Sequence, residues 1–586
     1  MSGLQTAVSG LRAAQAGLYV TGHNMANSGA IGFSRQRARQ AEFYSSTVLF
    51  NAKGAMQKGL GVDIASLTQI RDYFLDDAYR AENCRLGYYQ IKSAAGSEVE
   101  SIIGEMESQY HFQTAILDMW NALHELSAHP EGFETRSNFM AMANAFVIKV
   151  DDIYNRLLDY QHNLDSQARE AVKQINGLVD EVHALNQKIM EAESSGDHAN
   201  DYRDQRNICL DQLSQIIPVE WKENTNNNVN IISEGSVLLS NGARSHVGLK
   251  YISGAYNYVE PVLTPSTEIL PADTPVNQFA PLFHFDAPVN AKNGNDKGSL
   301  KGILMARGTK PANYLGETAW AAPTAPDPSD MAAYPGGASN PQYTIDLEQY
   351  GIDDRNYRND VYSVKYCFIP QVTQQLDTIV HSAVTLINDA FAPWADLGGG
   401  AEQDPDGPFD LYGTQSYMEV FKRKKLDRWT SGAFNAETGG DYYSQYTLGN
   451  LEINPELLKD GGVNFIALSL SGDREDNRLI RRLLNDWNDR IIDLGGGEKL
   501  SVNDAYKRFV SDIGTRTSEN LHFVNEQSVL VDQTETKRSQ VMGVSLDEEL
   551  KNMMLFQHAY DAAARILNVI DAMLDKLVNG TGRVGL

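Results

Sequence analysis

Residues 546–578 read LDEELKNMMLFQHAYDAAARILNVIDAMLDKLV, and residues 4–25, at the other end of the chain, read LQTAVSGLRAAQAGLYVTGHNM. In the first stretch Leu546, Met553, Tyr560, Leu567 and Leu574 recur every seventh residue, and Phe556, Ala563, Ile570 and Leu577 form a companion row. In the second, Leu4, Leu11, Leu18 and Met25 keep the same interval, with Ala7 and Ala14 three residues after the first two. Apolar residues at the a and d positions of a heptad form a seam that lies against another helix. A seam at each end of the chain predicts terminal helices that meet each other and then their neighbours. The alternative is that both pack only onto their own domain. The pattern reads as a subunit built to polymerise.

At 586 residues the chain is too long for one core, and roughly three or four domains are expected. With 42% hydrophobic and 22% charged residues it has the composition of a folded protein. A net charge of -26 argues against nucleic acid and against adhesion to an anionic membrane. The first 60 residues run the other way: Arg12, Arg35, Arg37, Arg39, Lys53 and Lys58 face only Glu42. That basic end either favours contact with an acidic neighbour or is a solvated surface. No stretch reaches the roughly 18–20 apolar residues of a membrane span. Gln5, Arg12 and Gln15 interrupt the N-terminal apolar run, so no cleavable signal peptide is expected. Cys84, Cys209 and Cys367 are widely spaced, without a CxxC, and read as small core hydrophobes.

The first helix should stop at Asn24, Asn27 and Gly29, residues that tolerate the left-handed turn ending a helix. Residues 28–70 read as irregular and strand-like. Helical spacing runs from about Ile91 to Ile216, where Leu157, Leu164, Ala171, Leu178 and Leu185 keep a seven-residue interval, as in a bundle. Pro130 and Ser194-Ser195-Gly196 punctuate it. Short β-type runs follow at Val229–Ile232, Ser236–Leu239 and His246–Ile252. Pro323 to Pro341 should be loop. Helical spacing returns from Val361 to Phe391, closed by Pro393 and Gly398-Gly399-Gly400. The fold class expected is multidomain α+β, with a terminal α-helical coiled-coil domain formed by both chain ends, 1–55 and 541–586. A mainly helical bundle domain takes 56–217, 344–395 and 446–540; 218–343 is an inserted β-rich outer domain and 396–445 a variable insertion.

Catalytic patterns fail on spacing. His124-Glu125 is followed by His129, five residues after the first histidine where a zinc helix needs four. Asp404, Asp406, Gly407 and Asp410 suggest a calcium loop, but its glycine is misplaced and Gln415 stands where a bidentate acid belongs. The glycine runs at 398–400 and 495–497 lack the Lys-Ser/Thr of a phosphate loop, and no GxSxG occurs. Glu548-Glu549 sit at a helix start, where the helix dipole favours acids. No catalytic residue, metal ligand or cofactor is assigned.

Ser9-Gly10-Leu11, Asn24-Met25-Ala26-Asn27 and Gly32-Phe33-Ser34-Arg35-Gln36 resemble the N-terminal signature of the axial proteins of the bacterial flagellum. Val544-Ser545-Leu546-Asp547-Glu548-Glu549-Leu550 and Gln557-His558-Ala559-Tyr560 resemble its C-terminal counterpart, shared by rod, hook and hook-associated proteins. Gly29-Ala30-Ile31 departs from the family, which usually has an Asn-Thr pair there and often a proline. Several interior segments resemble the hook-associated members: Leu75-Asp76 with Tyr79-Arg80, Trp120 to Pro130 with Arg136, and Ala199-Asn200-Asp201 with Asp204-Gln205-Arg206. Leu451 to Leu458, Gly472-Asp473 and Phe509 to Gly514 do so too.

The resemblance implies a non-enzymatic structural subunit at the junction of hook and filament, needed for filament assembly and motility. It also implies an extracellular location on the flagellum and export by the flagellar type III apparatus. The implied partners are identical subunits in a ring, the hook protein, a second hook-associated junction protein, and a cytosolic export chaperone at the C-terminal helix. Subunit contacts are expected at Leu4, Leu11, Leu18, Asn24, Asn27, Arg35, Leu546, Leu550, Met553, Tyr560, Leu567, Ile570 and Leu574. Chaperone contacts are expected at Leu546, Met553, Phe556, Tyr560 and Leu567. A hook or distal-rod protein shares both end signatures and is one alternative; a secreted surface binding module housed in the β-region is another.

Overall fold

The computed structural model describes residues 2–580, apart from 316–365 and short stretches such as 105–110, 195–197, 253–256, 397–400, 438–441 and 495–496. The Pro323–Pro341 loop, the expected helix start at Val361, the break at Ser195-Gly196 and Gly398–Gly400 lie outside the described residues, as does most of the second glycine run. The protein is multidomain α+β, mostly helical with several small sheets. It divides into two compact units: Met1–Cys84, Gln174–His246 and Glu526–Leu586 form one, and Arg85–Lys173 with Val247–Asn525 form the other.

The first unit opens with α1 (Ser2–Ala26). The Asn27 amide and side chain both donate to the His23 carbonyl and end the helix there. Two antiparallel hairpins follow, β1 (Gln36–Glu42) with β4 (Val62–Gln69), and between them β2 (Ser45–Asn51) with β3 (Gly54–Gly59). Helix α2 (Tyr73–Ile103) starts in this unit and continues in the other. It begins well before Ile91 because the Asp72 side chain accepts the Phe74 amide, an N-cap. Helix α3 (Phe112–Ala128) belongs to the second unit; α4 (Phe133–Ser194), about 90 Å long at 1.5 Å per residue, ends in the first. Helix α5 (Asn200–Ile216) leads into a four-stranded antiparallel sheet of β5 (Glu220–Glu223), β6 (Val229–Ser233), β7 (Ser236–Ser240) and β8 (Ala243–Arg244).

The second unit holds a separate sheet, β9 (Val247–Tyr251), β10 (Val259–Leu263) and β11 (Ala280–Pro281), then α6 (Ser299–Arg307). Helix α7 (Phe368–Phe391) buries Val372, Leu376, Ile379, Ala383, Ile387 and Phe391 at helical spacing. Helix α8 (Arg478–Asn488) buries Leu479, Ile480, Leu483 and Trp487. Trp487 meets Trp120 of α3 with ring centroids 5.5 Å apart. Arg136 shows why its motif carries an arginine: the buried guanidinium donates to the carbonyls of Pro130, Val463 and Ile466. Burial pushes its pKa down to about 10, with Asp410 and Glu131 acting against the fall.

Helix α9 (Val502–Met542) runs from the second unit into the first, and α10 (Leu546–Gly580) ends the described chain. His129 sits exposed at the end of α3, and Asp410 accepts the amides of Tyr412 and Thr414 in a local turn. No helix among the described residues is long and apolar enough to cross a membrane.

Candidate assembly interface

Helices α1 and α10 pack against each other along their length and run antiparallel. The row of α1 that meets α10 is made of glycine. A β-carbon placed on Gly3 would lie 3.6 Å from Ile570 Cδ1, one on Gly10 4.0 Å from Ala563 Cβ, and one on Gly17 2.5 Å from the Phe556 ring. The fourth position in the series, Asn24, donates to Glu549 at 3.2 Å. Each step of seven along α1 is matched by seven backwards along α10. Glycine lets the backbones approach closely, so the α10 row that seats on α1 is Phe556, Ala563 and Ile570.

The residues expected at the seam are therefore placed differently. Leu11, Leu18, Met553, Phe556, Leu567 and Ile570 are half-buried beside the contact. Leu4, Leu546, Leu550, Tyr560 and Leu574 are 36–49% exposed. A further stripe went unnoticed in the sequence: Leu555, Ala562, Ile566, Val569 and Met573 follow one another at seven-, four-, three- and four-residue steps. Leu555, Ile566 and Met573 are 64%, 53% and 65% exposed. Its seven-residue spacing is legible in the sequence, beside longer rows of the same interval.

The turn after α1 is fixed by polar contacts. The Asn24 side chain accepts the Gln36 amide and donates to the Gln36 carbonyl, starting β1. Arg35 reaches Glu549 at 2.8 Å and Glu548 at 3.0 Å, and its amide donates to the Met542 carbonyl. Burial works against the Arg35 charge, but the two glutamates outweigh it and leave its pKa raised. Ser9 accepts the Val62 amide, tying α1 to β4. Gly32 has φ +75, and a β-carbon there would meet Ile208 at 2.5 Å, so both conformation and space demand glycine.

Beneath the turn lies a buried ionic cluster that sequence reasoning missed as a cluster. Asp76 receives Arg71 at 2.6 and 3.0 Å and lies 3.0 Å from Arg538. Asp211 joins Arg80 at 2.7 Å to Arg538 at 2.8 Å, and Arg538 lies over the Tyr79 ring. Asp204 accepts the Ser34 amide at 3.0 Å and stands 3.5 Å from Arg71. These contacts account for Asp76, Tyr79, Arg80 and Asp204 as motif residues.

Burial pushes Asp204 up to about 6, against Ser34 and Arg71, which pull it down. An acid whose pKa is higher folded than unfolded binds more protons when folded. Its contribution is complete below about pH 4 and lost as pH rises through about 6. The stability of the parent relative to Asp204→Asn should fall by about 2 kcal/mol between pH 4 and pH 7. Urea unfolding across that range checks it; a flat difference would show that Asp204 titrates normally.

Residues 96–316 match the model of the flagellar hook-associated protein FlgK helical domain. Residues 538–580, which hold α10, match the flagellar basal body rod FlgEFG protein C-terminal model. Flagellar hook-associated protein 1 of Bacillus subtilis (strain 168) is 27% identical over 583 residues, covering 99% of this chain and 98% of that protein. The chain is thus similar to flagellar hook-associated protein 1 over nearly its whole length. The Escherichia coli (strain K12) member is 24% identical across 98% of this chain and 99% of its own length. The Salmonella typhimurium member is 23% identical across 98% of each. The solved flagellar hook junction protein FlgK from Burkholderia pseudomallei is 13% identical, with a TM-score of 0.49, over 80% of this chain and 100% of that one.

Proposed function

We propose that this chain is a structural, non-enzymatic subunit of the bacterial flagellum that joins hook to filament, and that filament assembly and motility need it. The similarity to hook-associated protein 1 across nearly the whole chain carries this reading. The rod-type match at 538–580 covers only the end shared by axial proteins, whereas the helical-domain match at 96–316 favours the hook-associated member over hook or rod proteins.

In this reading segments 1–55 and 541–586 form a coiled-coil axial core, and 56–217, 344–395 and 446–540 the helical body. Segment 218–343 is the outer domain and 396–445 an insertion. The subunit rings with copies of itself, on hook protein at one side and the second junction protein at the other. It leaves the cell through the type III apparatus, after a chaperone has covered α10. The exposed stripe on α10 supports this, since an apolar stripe without cover marks a surface awaiting a partner.

Immunogold labelling of isolated flagella with antibody against 218–315 should give one band where hook meets filament. Label along the whole hook or rod would move the chain to a sister protein, and no label would sink the flagellar reading. A variant carrying Ile566→Asp and Met573→Asp should fold as the parent does, since both side chains are exposed. It should lose at least about tenfold in incorporation, because two buried charges without partners each cost several kcal/mol at an interface. Normal swimming of this variant would remove the stripe from the interface.

A further inference from the structure

The glycine row that brings the terminal helices together is a poor guide to their register. Gly3, Gly10 and Gly17 offer no side chain to interlock. Sliding α10 by one heptad would set Gly3 against Leu577, Gly10 against Ile570 and Gly17 against Ala563, all apolar residues facing glycine. The slipped pair would keep most of its apolar contact. It would fail at one end, where Asn24 would meet the Phe556 ring that Gly17 now accommodates, Glu549 would leave both Asn24 and Arg35, and the three-residue link 543–545 to α9 would have to rearrange.

Glu549 is the one acid among the few buried residues of α10, 2% exposed in an otherwise open helix. It accepts Asn24 at 3.2 Å and Arg35 at 2.8 Å. We propose that Glu549 is the register lock of the terminal helix pair: its contact with Asn24 and Arg35 selects one of two apolar-equivalent alignments. A single polar position fixes register in coiled coils for the same reason, since any other alignment buries it unpaired. The inference deepens the structural reading above, because a subunit whose ends pair one heptad out presents its α10 stripe about 10 Å from where a neighbour expects it.

Cysteine cross-linking of the purified full chain tests this without any flagellum, so its failure is distinct from failure of the junction role. The Gly10–Ala563 spacing of 4.0 Å suits a disulfide. Gly10→Cys with Ala563→Cys should cross-link within one chain, and Gly10→Cys with Ile570→Cys should give only a trace. Stranding a buried charge disfavours the slipped state by about a hundredfold or more. Adding Glu549→Leu, which leaves the bonds of Asn24 to Gln36 intact, should raise the 10–570 product about tenfold or more above its level with Glu549 present. Glu549→Gln, which still accepts from Asn24, should keep the native product alone. If Glu549→Leu yields only the native cross-link, register is set elsewhere and the proposal falls. Loss of both cross-links would overturn it too, because the contact would then hold the helices together without choosing between alignments.

Discussion

Replacing Gly17 with leucine should abolish filament growth, while Gly10→Ala should be tolerated. At Gly17 three ring carbons of Phe556 stand within 2.7 Å of where a β-carbon would be. Phe556 is half-buried in the seam, so any side chain at 17 must expel the ring or spread the helices. Overpacking a tight contact costs about 1–3 kcal/mol locally. Here it acts on two thin helices whose mutual cover is a single row, so the neighbouring contacts at Gly10 and Asn24 open with it. At Gly10 the nearest atom is Ala563 Cβ at 4.0 Å, an ordinary contact. Alanine there adds helix propensity worth about 0.5–1 kcal/mol. Filament counts by electron microscopy and amide exchange over residues 2–26 read both effects. The double variant Gly17→Leu/Phe556→Ala should recover much of the loss, since the space is returned on the facing helix. Normal filaments with Gly17→Leu alone would mean that the α1–α10 contact is not used in assembly.

What the sequence disclosed and what it hid divide along physical lines. Apolar residues at regular intervals announced α1, α4 and α10, because side chains that must leave water repeat at the helical period. The alternating runs at 229–232 and 236–239 announced β6 and β7 for the same reason at period two. The glycine row stayed hidden because a hydrophobic pattern registers glycine as a blank, although Gly3, Gly10 and Gly17 repeat as regularly as the leucines beside them. The early turns of α2 stayed hidden because their buried side chains include Asp76 and Arg80, which read as surface until their partners are known. Those partners, Arg71, Asp211 and Arg538, are placed by tertiary folding and not by local spacing. Likewise nothing in the strand-like run from 218 to 343 marks that β5–β8 and β9–β11 fall in different units, since both halves carry the same β-type residues.

The ionic cluster should have the larger effect on folding stability. Asp76 is fully buried and neutralises parts of two guanidiniums, those of Arg71 and Arg538. Asp76→Ala leaves Arg71 with Ser34 and a carboxylate 3.5 Å away, and leaves Arg538 with Asp211, Glu535 and the Tyr79 ring. Breaking a buried pair by removing one partner costs about 3–5 kcal/mol, because the desolvated charge left behind is not rehydrated. Asp76→Asn keeps an acceptor for one arginine and should lose less. Asp180, paired with Arg244 at the surface of the first unit, is the control; its alanine variant should change stability by no more than about 1 kcal/mol. Urea unfolding followed at residues of the first unit by amide exchange separates the three. If Asp76→Ala falls within about 1 kcal/mol of the parent, Arg71 and Arg538 are not left uncompensated, and water or their remaining partners carry their charge.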